Sequence, residues 1–110
     1  MRCHMPKYLF HGSYTEAGLK GLLKEGGTKR REAVKKAVES IGGKLEAFYF
    51  GFGDNDFYFI ADNPDPIGAV TGSLLANATG TVKLKTTVLI TPEDVDEAVK
   101  KSMDWRPPGH

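Results

Sequence analysis

The sequence is poor in the features that would identify a chemistry at sight. A single cysteine, Cys3, among 110 residues excludes an internal disulfide. It falls in a stretch read as a frayed end, so its reading is an incidental thiol. Because Met5 heads a plausible strand, residues 1–5 are read as an N-terminal extension. No apolar run approaches the roughly 18 residues of a membrane span, and MRCHMPKYLF lacks the apolar stretch of a signal peptide. The expectation is a cytoplasmic protein without a membrane partner. Neither sign of charge dominates: 15 basic and 14 acidic side chains leave a net +1, too little to draw the chain to nucleic acid by its overall field. Histidine is scarce, and His11 alone falls inside a predicted element. With no second histidine or cysteine at ligand spacing, a protein-held zinc is not expected; haem would need His11 alone, but no metal site and no cofactor are predicted.

What is present fits one globular domain: 40% hydrophobic and 26% charged residues. Tyr8, Leu9 and Phe10 make a nearly continuous apolar run inside a first strand over Lys7 to Tyr14. Thr15 is a good helix cap. The apolar positions Leu19, Leu22, Leu23, Val34, Ala37, Val38 and Ile41 then recur at spacings of three and four, interrupted by Gly26-Gly27. That predicts an amphipathic helix in two pieces, with a basic exposed face of Lys29, Arg30, Arg31, Lys35 and Lys36. Gly42-Gly43 ends it.

A second strand is expected over Lys44 to Phe52 and a third over Phe57 to Ala61, joined as a hairpin by the turn residues Gly51 to Asp56. Asp62-Asn63-Pro64 reads as the cap of a second helix with a stripe of Ile67, Val70, Leu74 and Ala78. Gly68 and Gly72 on its flank imply close packing. A fourth strand is expected over Thr81 to Ile90. Thr91-Pro92-Glu93-Asp94 starts a third helix that runs to about Lys101. The domain is thus read over residues 6–101, with 102–110 as a tail.

The order β-α-β-β-α-β-α predicts an α+β, ferredoxin-like fold: a four-stranded antiparallel sheet in the order 4-1-3-2 with two helices on one face. All four strands carry large apolar side chains on both parities. Two helices cover only one face, so the other is expected to be covered by a second copy, sheet against sheet.

These residues also resemble a known family. Met-Pro-Lys-Tyr opening the first strand, Ser-Tyr-Thr closing it, "GGKLEAFYFGFGDNDFYFI" and "GTVKLKTTVLIT" are similar in order and spacing to the GYD-domain proteins. The resemblance spans roughly Pro6 to Val99. It implies the dimeric α/β-barrel superfamily, which hosts haem enzymes, cofactor-free oxygenases and isomerases, and ligand-binding regulators, so the fold does not settle the function. The family's Gly-x-Tyr-Asp motif corresponds to Gly53-Asp54-Asn55-Asp56. Asn55 stands at the tyrosine position, and no role of that ring carries over.

The candidate catalytic residues are His11 and Asp56. With strands one and three read as parallel neighbours, an offset of four residues sets the two about 13 Å apart, which argues against a dyad. His11 shares a parity with Leu9 and Ser13, so it faces either the space under the helices or a dimer interior, as a structural histidine or as an acid-base group. Asp56 is either a cap on turn N–H groups or a carboxylate at a pocket rim. Tyr14, Tyr49, Tyr58 and Phe50 are the candidate ligand-binding residues, the tyrosines offering hydroxyls or merely packing their rings.

An RNA-recognition sheet has the same β-α-β-β order, but Asp54-Asn55-Asp56 would repel phosphate and Gly-Phe-Gly lies on the wrong strand. Nucleic-acid binding is not expected. "TKRRE" and "VKLK" read as solvated faces. Three functions remain: a homodimer that binds a small apolar or aromatic molecule between sheet and helices; a cofactor-independent oxygenase or isomerase using His11 or Asp56 for proton transfer; and an assembly protein without a ligand.

Overall fold

A computed structural model describes residues 6–110, so the readings of Cys3 and of residues 1–5 lie outside the described residues. The elements follow the predicted order: β1 (Lys7–Tyr14), α1 (Glu16–Ser40), β2 (Lys44–Phe50), β3 (Phe57–Asp62), α2 (Pro66–Ala78), β4 (Val82–Leu89) and α3 (Pro92–Val99). The strands form one sheet in the order β2-β3-β1-β4, every pair antiparallel. This is the expected arrangement with one correction: β1 and β3 are antiparallel, with His11 opposite Tyr58 and Gly12 opposite Phe57. In a βαβ crossover β2 returns parallel to β1, so the hairpin strand β3 must oppose both. Asp56 consequently adjoins the end of β1, and the 13 Å separation inferred for His11 and Asp56 does not hold.

Helix α1 begins where Thr15 accepts the backbone N–H of Gly18. It is interrupted at Gly26, whose φ of 80° and ψ of 174° lie far from helical values. Glycine takes up that conformation without a side-chain clash, so the chain turns there and the second piece lies back over the sheet.

Helix α2 departs from expectation in two ways. Its cap is Asp65, not the Asp62-Asn63-Pro64 segment: Asp65 Oδ1 accepts from Ile67 N at 2.9 Å, with Pro66 next in line. Asn63 is spent otherwise, accepting from Asp65 N at 2.9 Å and donating to the carbonyl of Ile41 at 3.3 Å. The stripe of Ile67, Val70 and Leu74 also points away from the core, 72%, 56% and 65% exposed, whereas Ala69 is 2% exposed. The helix turns its small residues inward. A Cβ on Gly68 or Gly72 would press on Ile41 and, at Gly68, on Asn63 as well, so close approach selects glycine there.

Every buried strand residue faces the helices: Tyr8, Phe10, Gly12, Phe57, Phe59 and Ala61, with Phe48, Phe50, Leu45, Val82 and Leu84 packed around them. The opposite face carries Leu9, His11, Tyr49, Tyr58 and Ile60. Helix α3 starts as predicted, Thr91 accepting from Asp94 N at 3.1 Å, but Val95 and Val99 on it are exposed. The radius of gyration is 17.0 Å, against about 13 Å for a compact domain of this length.

Two glycines of α1 should respond oppositely to alanine. A Cβ on Gly18 would collide with the carbonyl oxygen of Thr81, which receives the N–H of Thr15 at 3.0 Å, whereas nothing lies within 4 Å of one on Gly21. Gly18→Ala should cost about 2 kcal/mol despite alanine's better helix propensity. Gly21→Ala should stabilise by about 0.5–1 kcal/mol. Urea denaturation of the two variants measures both signs.

Candidate functional site

The second piece of α1 packs over β1 and β2, and α2 packs along β4. Ile41, at the end of α1, lies against Asn63, Gly68 and Gly72. Between the helices and over the sheet lies a half-open cavity of about 400 Å³, within the range of small-molecule sites. Its floor is the sheet, with Phe10, Phe48, Phe57 and Phe59 exposing ring surface. Its walls are Val34, Val38 and Ile41 on one side and Leu75 and Ala76 on the other. Polar groups gather around Tyr14, Arg30, Thr79 and Thr81.

Tyr14 is the one sequence-predicted residue that lines this cavity. Its ring packs at 5.1 Å on Phe57, and burial pushes its phenol above the ordinary value of 10. Arg30 pulls the other way, and the carboxylates of Glu25 and Asp56 push it up further. The hydroxyl is therefore protonated at neutral pH, able to donate a hydrogen bond.

Asp56 does not reach the cavity. Its Oδ2 accepts the backbone N–H of Tyr14 at 2.9 Å, and its own N–H donates to Gly12 O at 2.8 Å. It is a cap, as one reading had it, although on the end of β1 rather than on turn N–H groups. Through that bond Asp56 fixes the backbone that carries Tyr14. Phe50 lies on the helix side but outside the cavity, against the kink: a Cβ on Gly27 would come 3.1 Å from its ring. It also stacks at 5.7 Å on Phe52, a non-glycine residue held at φ 54° in the turn.

His11, Tyr49 and Tyr58 fall on the other face. Antiparallel register sets Tyr49 beside Tyr58, Tyr58 beside His11, and His11 beside Lys85, one row across all four strands. The His11 ring lies 6.4 Å from that of Tyr58, and its Nε2 lies 3.2 Å from Thr87 Oγ1. Asn55 Nδ2 donates to the Tyr58 hydroxyl at 3.4 Å. Tyr49 is 71% exposed. His11 and Asp56 thus have separate partners and form no dyad. Among the described residues no cluster of three or more metal-binding side chains occurs.

The residue that sequence reasoning misplaced is Arg30, assigned to the solvated basic face. Counting back from Ile41, Val38 and Val34 by threes and fours reaches position 30, so the helical period already set Arg30 on the apolar stripe. Its guanidinium lies beside Tyr14, Nη1 3.2 Å from Glu25 Oε1, and its buried Nε has no partner.

If Asp56 acts as a cap, Asp56→Ala should destabilise the fold by about 1–3 kcal/mol, because it leaves a partly buried N–H unpaired. Asp56→Asn, which keeps an acceptor, should cost less than about 1 kcal/mol. Chemical denaturation distinguishes the two. Equal losses from both variants would show that the negative charge, rather than the hydrogen bond, is what matters.

No curated protein matches the chain. Among solved structures, NE2512, a protein of unknown function from Nitrosomonas europaea, is similar at 16% identity and a TM-score of 0.43, over 79% of this chain and 91% of that one. The family model for the GYD domain matches residues 8–99, and the chain accordingly belongs to the GYD-domain family.

Proposed function

We propose that this protein is a homodimer that binds a small apolar or aromatic molecule in the cavity between sheet and helices. The observation that carries the reading is the unfilled space itself. Here a half-open cavity of about 400 Å³ is bordered by four phenylalanine rings, a size and an apolar lining typical of small-molecule sites. A protein serving only assembly has no use for such a space and would gain stability by filling it. Tyr14 is the polar contact of this site. His11, anticipated in that part, lies on the other side of the sheet.

The dimer is supported by the outer sheet face. Leu9, Ile60, Tyr58 and Tyr49 form a contiguous apolar and aromatic surface without the core-like burial of the helix side. A second copy seated there would cover it and would enclose His11 and Lys85. The alternative of cofactor-independent oxygenase or isomerase chemistry, with proton transfer by His11 or Asp56, has less in its favour, since neither residue borders the cavity.

Two measurements test the proposal. An uncharged solvatochromic dye such as Nile red should bind with a blue-shifted emission, and Val34→Trp, which puts an indole into the cavity, should weaken that binding at least about tenfold while the far-ultraviolet dichroism is unchanged. Equal binding by the variant would refute the location. Sedimentation equilibrium should give twice the 12.0 kDa chain mass, and Ile60→Lys on the outer face should return the monomer without loss of dye binding. A monomeric wild-type chain at micromolar concentration would refute the dimer.

A further inference from the structure

Most polar groups around the cavity are already satisfied by their own neighbours. Thr79 Oγ1 lies 2.7 Å from Ala76 O and 2.6 Å from Thr81 Oγ1, and Ser40 Oγ donates to Ala37 O at 2.6 Å. The remaining donors belong to Arg30 and Tyr14, which both border the cavity. A guanidinium and a phenol at the edge of an apolar cavity are the groups there that can hold an anionic head.

The orientation of the guanidinium narrows the chemistry. Nη1 is engaged by Glu25 at 3.2 Å and Nε is sealed from the cavity, which leaves Nη2 as the donor of the guanidinium. A charged N–H beside a phenolic hydroxyl suits one carboxylate, an oxygen to each. We propose that the ligand of this cavity is an amphipathic monocarboxylate, its apolar or aromatic body over the phenylalanine floor and its carboxylate between Arg30 Nη2 and the Tyr14 hydroxyl. This rests on the reading that the cavity binds a small molecule and adds the class of that molecule.

Charge and size agree. Glu25 already offsets part of the positive charge of Arg30, and the carboxylates of Glu25 and Asp56 both act on Tyr14, so one negative charge is favoured here over two. A cavity of about 400 Å³ is large enough for an aryl-substituted or medium-chain acid. Tyr14, kept protonated by its burial, donates to a carboxylate without itself carrying charge.

Phenylbutyrate and its uncharged counterpart phenylbutanol separate the head group from the body. Titrated calorimetrically into the wild-type protein, the acid should bind about tenfold more tightly than the alcohol. Arg30→Met should abolish that preference and leave alcohol affinity unchanged, and Tyr14→Phe should reduce it in part. Equal affinities of acid and alcohol for the wild type would overturn the carboxylate assignment and leave the apolar cavity standing. Absence of binding by the acid, the alcohol and Nile red alike would overturn both. Should Arg30→Met fail to fold, the comparison of acid with alcohol on the wild-type chain decides the question alone.

Discussion

Three phenylalanine rings, Phe10, Phe59 and Phe48, form the layer on which the rest of this structure depends. They are register partners on neighbouring strands, with centroid separations of 4.9 Å and 5.6 Å and interplanar angles of 14° and 12°. Each such pair contributes about 0.5–1.5 kcal/mol beyond its buried area. Their larger effect is to set register: slipping any strand by one residue would send its ring to the opposite face and break the row. Phe57, stacked at 6.2 Å on Phe59, continues the layer towards Tyr14. The layer is at once the top of the sheet and the floor of the cavity.

The helices that rest on this floor do not close over it. Ile41 lies against the small residues Gly68 and Gly72, and the cavity lies between the helices, bordered by Tyr14 and Arg30. The two faces of the sheet differ accordingly: aromatic rings and a cavity on one, and on the other an aliphatic and aromatic surface crossed by the row of Tyr49, Tyr58, His11 and Lys85.

Much of this was legible in the sequence. Short apolar runs bounded by turn residues marked the four strands, the succession of elements their order in the sheet, glycines the break in α1 and its end, and Thr91-Pro92 the start of α3. Residue classes alone served less well where two interpretations share one period. On α2 the stripe of Ile67, Val70 and Leu74 is the more hydrophobic, yet Gly68, Ala69 and Gly72 face inward, because close approach rewards small volume and hydropathy scales do not register it. Arg30 was judged by its charge although its position lay on the apolar stripe. Asp56 was placed by an incorrect strand direction, and its bond to the backbone of Tyr14 joins residues 42 apart in sequence, a contact no local pattern announces.

The central claim, that the space over the phenylalanine layer holds an amphipathic acid, is tested most directly by methyl NMR spectra of the chain titrated with phenylbutyrate. The methyl groups of Val34, Val38, Ile41 and Leu84, which border the cavity, should shift together and saturate, while those of Leu9 and Ile60 on the outer face stay in place. Shifts confined to Leu9 and Ile60, or no shifts at all, would contradict the account.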